Sequence, residues 1–167
     1  MISKNAMTRL TVTLSLALAL GVTGCSSAKK VEVETSVPSA MAADENMMGD
    51  SDSGKAMGLQ TVFFPFDSFT LDEKSRSALK SNADILKKHQ NLHIQIEGHC
   101  DQRGGIQYNI ALGEKRANAT MKYLVDLGVT ASKMTVISLG KEKPLDLGTS
   151  EEAYAKNRRA NFAITSQ

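Results

Sequence analysis

The sequence predicts an α/β sandwich: one mixed four-stranded sheet with helices packed on one face, in the order β-α-β-α-β-β. Three observations carry this. The run His93-Ile94-Gln95-Ile96-Glu97 alternates polar and apolar residues, the period-two signature of a half-buried strand. Long stretches on either side of it carry apolar residues at helical spacing. Further β-rich runs precede and follow those stretches, and such alternation argues for helices layered on a sheet.

The elements follow in order. Thr61-Val62-Phe63-Phe64 is a β-rich run stopped by Pro65. Thr70-Leu71-Asp72-Glu73 offers a capping box, with Thr70 as N-cap and Glu73 three residues on. The helix behind it carries Ala78, Leu79, Ala83, Ile85 and Leu86 and fades near His89. In the next strand Ile94 and Ile96 point inward, and Gly98 closes it. A loop through Gly104 and Gly105 leads to a second helix from about Asn109 to Leu127, with Gly128 as its C′ residue. Met134 to Leu139 reads as a third strand, and Arg159 to Thr165 as a fourth with Ala160, Phe162 and Ile164 on one face. On a helical wheel Ile110, Ala117, Met121, Leu124 and Val125 form the core arc of the second helix. Asn109, Leu112 and Arg116 share the adjacent arc, which puts Arg116 at the shoulder between core and water.

The N-terminal part is of another kind. Lys4 and Arg9 precede an apolar run, Leu10 to Val22, too short to span a bilayer and fitting the core of a secretory signal. It ends in Leu20-Gly21-Val22-Thr23-Gly24-Cys25, which resembles the lipobox of bacterial lipoproteins. That resemblance implies removal of residues 1–24 and lipidation of Cys25. An ordinary secretory signal with an incidental Cys25 is the alternative, disfavoured by the small residues abutting the cysteine. The formal charge of +2 comes from Lys4 and Arg9, so processing leaves a neutral chain and removes any electrostatic argument for nucleic acid. Lipidation also leaves Cys100 without a disulfide partner, so stability must come from a packed core.

Residues 25–57 are small and polar, with no aromatic residue, and read as a disordered tether behind the lipidated cysteine. A flexible coil of roughly 30 residues spans about 30 Å. Met41, Met47, Met48 and Met57 are irregularly spaced with no cysteine or histidine among them, so tether composition accounts for them better than a copper(I) site. Residues 58–167 are the expected folded domain.

The stretch Glu97 to Arg116 concentrates the chemistry. Asp101 and Arg116 can act as two arms of a clamp for a small zwitterion, carboxylate to ammonium and guanidinium to carboxylate. From spacing alone a structural salt bridge pinning loop to helix is equally open, and Asn109 can serve simply as a helix cap.

Gly98-His99-Cys100-Asp101, Gly104, Tyr108-Asn109, Leu112, Arg116-Ala117 and Asn157-Arg158-Arg159 together resemble the OmpA-like peptidoglycan-binding domain family. The likeness runs from Thr61 to the C-terminus. Phe64-Pro65-Phe66-Asp67-Ser68, with the lipobox in front, resembles the lipid-anchored members of that family. The resemblance implies non-covalent binding of the peptidoglycan stem peptide through meso-diaminopimelate. Asp101 would receive its ammonium, Arg116 would hold its carboxylate through a bidentate fork, and Phe66, Asp67, Asn109 and Leu112 would line the pocket. It further implies a lipid anchor in the outer membrane, facing the periplasm, engagement of the TolB-type periplasmic propeller protein in the Tol system, and neither cofactor nor catalysis. Ser26 after the lipidated cysteine agrees with outer-membrane sorting by the enterobacterial convention. Cys100 departs from the family, which usually has threonine there. Two rivals remain: an OmpA-domain lipoprotein serving a different envelope complex, and a metal-dependent periplasmic enzyme using His93, His99, Cys100 and Asp101. The second lacks a zinc-like ligand spacing.

Overall fold

The computed structural model describes residues 48–167. The signal segment, Cys25 and the tether as far as residue 47 lie outside the described residues. The elements are β1 (Gly49–Asp50), β2 (Val62–Phe63), α1 (Glu73–Lys88), β3 (His93–His99), α2 (Ile106–Asp126), β4 (Met134–Gly140), α3 (Glu151–Asn157) and β5 (Arg159–Ser166). A 3-10 turn at Ala131–Lys133 leads into β4.

The sheet is mixed, as the pattern predicts, but has five strands rather than four. β5 runs antiparallel to β3 along one edge and to β1 and β2 along the other. β3 and β4 are parallel, and α2 supplies the crossover such a pair requires. The core lies between sheet and helices. Leu79, Ala83 and Leu86 of α1 and Ala117 and Leu124 of α2 meet Ile94, Ile96, Ala160, Phe162 and Ile164.

The strand missing from the sequence prediction falls in the segment read as tether. Gly49 pairs with Ile164 and Asp50 with Ala163. Ser51 Oγ donates to Asn161 Oδ1 at 2.8 Å, Asp52 accepts from Arg159 Nε at 2.8 Å, and Ala56 is fully buried. The folded domain therefore includes residues from 48 onward, ten residues before the expected boundary. The segment's small polar residues gain order from their bonds to β5, among them Ser51 N–H to Phe162 O at 3.0 Å.

Helix ends also differ in detail. α1 is capped by Asp72, not Thr70: the Asp72 carboxylate accepts from the Ser75 N–H at 2.7 Å. A charged cap adds attraction to the helix N-terminus, which a threonine lacks. α2 starts three residues before Asn109, with Gly105 at the N-cap. Its far end closes as expected on Gly128, at φ +91°, in a Schellman arrangement. The Val129 N–H donates to Leu124 O at 3.0 Å and the Gly128 N–H to Val125 O at 2.8 Å. The connection before the last strand, unassigned by the sequence, holds α3, capped by Ser150.

Two glycines set how α2 lies on the sheet. A β-carbon on Gly98 would sit 1.9 Å from Gly113 O, and one on Gly113 would sit 2.3 Å from Ser138 Oγ. Their absence lets helix and strand touch backbone to backbone. The buried arc of α2 is therefore Asn109, Leu112, Gly113, Arg116, Ala117, Thr120 and Leu124, while Val125 is exposed. The wheel assignment is rotated accordingly, and Arg116 sits in the interior rather than at a shoulder.

Candidate functional site

Where the C-terminal end of β3 meets the start of α2, the chain builds a small charged cavity of about 210 Å³. Phe66, Asp67, Asp101, Asn109, Leu112 and Arg116, the six residues implicated above, all line it. Cys100, Arg103, Gly104, Tyr108 and Arg158 complete the wall. A larger depression of about 640 Å³ lies between β2, α1 and α3, but its Asp72, Lys74 and Lys156 are exposed, and it has no buried ion.

Arg116 is fully buried. Its Nε donates to Ser68 O at 2.8 Å, Nη1 to His99 O at 2.8 Å and Cys100 Sγ at 3.4 Å, and Nη2 to Pro65 O at 3.2 Å. Phe64 presents its ring 5.3 Å from the guanidinium carbon. These partners are carbonyls, a thiol and a ring; none of its hydrogen bonds goes to a carboxylate. Four of five guanidinium N–H groups are thereby used, leaving one on Nη2. The bidentate fork implied by the family resemblance is therefore not open in this arrangement. Burial draws the Arg116 pKa down, yet an arginine remains charged at neutral pH.

Asp101 does not pair with Arg116. Its carboxylate accepts from the Arg103 backbone N–H at 3.1 Å and Arg103 Nε at 3.2 Å through Oδ1. Oδ2 accepts from Arg103 Nη2 at 2.6 Å and Arg158 Nη1 at 3.3 Å. Burial pushes this carboxyl upward, but the hydrogen bonds from Arg103 and Arg158 outweigh it and hold the pKa below the ordinary range. The simple loop-to-helix salt bridge is thus replaced by one between Asp101 and two other arginines.

The rest of the wall is built by local backbone. Asp67 adopts φ +50°, which short polar side chains tolerate best, and its carboxylate accepts from the Tyr108 hydroxyl. Asn109 does not cap α2; its Nδ2 donates to Arg103 O at 2.8 Å and braces the loop. Gly104, at φ +84°, makes the turn that brings this carbonyl round. Cys100 is buried, and its Sγ lies 3.3 Å from Asn109 O, to which it donates. Burial raises the thiol pKa, so it stays protonated.

Arg103 and Arg158 are the residues sequence reading left out as site residues. Arg158 stands in the sequence only as part of an Asn-Arg-Arg motif at the other end of the domain, and Arg103 lies inside a loop marked by its glycines. Arg103 meets Asp101 locally, its backbone N–H two residues on donating to Oδ1, whereas nothing in local sequence pairs Arg158 with Asp101; only the closure of β5 against β3 does.

The model for the OmpA family matches residues 63–158. The peptidoglycan-associated lipoprotein of Legionella pneumophila is 38% identical over 114 residues, covering 68% of this chain and 65% of that one. The peptidoglycan-associated lipoprotein of Pasteurella multocida is 36% identical over 158 residues, covering 94% and 99%. Among solved structures, the peptidoglycan-associated lipoprotein of Burkholderia pseudomallei superposes with a TM-score of 0.60 at 44% identity, over 64% of this chain and 89% of that one.

Proposed function

This chain belongs to the OmpA family, and from that premise we propose that it is an outer-membrane lipoprotein that grips peptidoglycan without a covalent bond. The ligand is the meso-diaminopimelate of the stem peptide. Its ammonium goes to Asp101 and its carboxylate to Arg116, while Phe66, Asp67, Asn109 and Leu112 enclose its methylenes. Lipidated Cys25 holds the other end in the membrane, and the residues between bridge membrane and wall. The reading contains no catalytic step.

One observation carries it. Arg116 is a buried cation satisfied by carbonyls, which accept its hydrogen bonds without neutralising its charge. A buried charge without a counter-ion is costly, and an anion arriving in this cavity recovers that cost. Asp101, on the same cavity, provides the opposite sign. A ligand with a carboxylate and an ammonium a few bonds apart matches both. Arg116 offers one free N–H, so its contact is a single hydrogen bond reinforced by charge.

Co-sedimentation with purified sacculi tests the reading. Wild type pellets with sacculi and is released by free meso-diaminopimelate; Asp101→Ala stays in the supernatant while remaining folded. Because Arg116 also ties the 65–68 segment to β3, its replacement is read only in protein shown to be folded by circular dichroism. Folded Asp101→Ala that still pellets refutes the clamp. We propose the TolB-type propeller of the Tol system as the protein partner, on the family resemblance alone; a pull-down that recovers a different envelope complex instead would favour the rival assignment.

A further inference from the structure

We propose that Arg103 is a resident stand-in for the ligand's ammonium, and that Glu151 is the seat to which it withdraws when ligand arrives. The inference rests on the proposed function and concerns how that site is emptied and filled.

An ionised carboxylate has about four lone-pair positions. On Asp101 four donors fill them: the Arg103 N–H, Arg103 Nε, Arg103 Nη2 and Arg158 Nη1. A ligand ammonium therefore cannot bind Asp101 without displacing one. The backbone N–H is fixed by the loop. Arg158 is fixed too: its side chain is 8% exposed, its Nε donates to Phe64 O at 3.1 Å, and its Nη2 holds Glu151 Oε1 at 2.8 Å. Only the Arg103 side chain, 36% exposed, is free to leave.

It also has somewhere to go. Arg103 Nη1 already lies 3.3 Å from Glu151 Oε2, on a carboxylate that is 60% exposed. Asp101, Arg103, Glu151 and Arg158 thus form a closed ring of alternating charge. The guanidinium slides within an aromatic slot, with its carbon 4.1 Å from the Phe66 centroid and 4.4 Å from that of Tyr154. A flat cation between two rings can shift in its own plane while keeping both contacts. Moving Arg103 toward Glu151 hands Asp101 to the ligand and leaves no arginine without an acid. Glu151, on α3 and outside the cavity wall, is then a positioning residue acting through Arg103.

The test is a double-mutant cycle on the full-length chain in detergent, using calorimetric titration with the tripeptide L-Ala-γ-D-Glu-meso-diaminopimelate. Arg103→Gln keeps the backbone N–H but removes the competitor, and should tighten binding roughly threefold or more; Glu151→Gln removes the seat and should weaken it by a similar factor. In the Arg103→Gln background, Glu151→Gln should have no effect. The same peptide acetylated on the free diaminopimelate amine should not gain from Arg103→Gln. Weaker binding by folded Arg103→Gln, or an equal Glu151→Gln loss in both backgrounds, overturns the exchange. Wild type that fails to bind the tripeptide at all overturns the function itself, a distinct result.

Discussion

Replacing Gly98 by alanine should damage stability and binding together, because the same backbone contact supports both. The added β-carbon would lie 1.9 Å from Gly113 O and 2.6 Å from Gly113 C, where ordinary contact begins at 3.4 Å. Both partners are backbone, so no side chain can swing aside. α2 must retreat from β3 by about 1.5 Å. Overpacking of this kind costs about 1–3 kcal/mol, and a gap of even 0.5–1 Å forfeits a quarter to a half of each dispersion contact around it. Ala117 and Leu124 pack through the same helix, so the upper end applies, about 3 kcal/mol. For a domain of this size that is a fall in Tm of roughly 10 °C. The retreat also stretches the 2.8 Å bond from Arg116 Nη1 to His99 O beyond hydrogen-bond range. Sacculus binding should be lost at temperatures where the variant is still folded. The assay is thermal unfolding by circular dichroism alongside co-sedimentation. Gly105→Ser is the control: nothing lies within 4 Å of its added β-carbon, and a serine N-cap should stabilise α2 by a few tenths of a kcal/mol. Gly98→Ala within 0.5 kcal/mol of wild type, still pelleting with sacculi, would refute the backbone-contact argument.

Four further outcomes follow from the same structure. The Asp101 carboxyl is held below its ordinary range in the folded state, so its stabilising contribution is full above the unfolded value, near pH 4, and is lost as pH falls through the folded one. Sacculus binding should then be flat from neutral pH down to about pH 4; half-loss near pH 6 would point to a histidine instead. Asp52→Ala strands Arg159, which is buried, and should destabilise the domain by about 3 kcal/mol in urea unfolding, as should starting the chain at residue 58. A chain begun at residue 58 that unfolds like the full one would return residues 48–57 to the tether. Cys100 should react with iodoacetamide at least tenfold slower in native than in urea-unfolded protein, because it is buried and its thiol pKa is raised; equal rates would contradict the packed cavity floor.

Much of this was legible in the sequence, and what was not has a common cause. Strict alternation at His93–Glu97 and helical spacing in α1 and α2 are local signals, and they mark elements the fold contains. β1 was missed because Gly49 and Asp50 have no strand propensity; their pairing comes from the free edge of β5, more than a hundred residues later. The depth of Arg116 was missed because wheels weigh side chains, whereas the approach of α2 is set by the side chains absent at Gly98 and Gly113. The six pocket residues share one cavity, but Arg158 is joined to Asp101 only by tertiary closure, whereas Arg103 reaches it from two residues away.

The two ends of the cavity solve opposite problems. If a protein carboxylate neutralised Arg116, an incoming anion would have to break an ion pair and would gain little. Carbonyl oxygens avoid this: they satisfy geometry, which keeps the fold intact, and leave the charge, which keeps the site attractive. Asp101 is held differently: among the described residues one backbone donor reaches it, the Arg103 N–H. Its charge is balanced by arginines instead, and a balanced site binds only by exchange. On the proposed function, the end that takes the ligand's carboxylate is therefore preset, and the end that takes its ammonium is competitive. A ligand carrying only a carboxylate should still find Arg116, while one carrying only an amine must displace Arg103 with no second contact to offset the loss. On the proposed function, selectivity for a zwitterion over a simple amine would arise from this asymmetry in how the two charges are held.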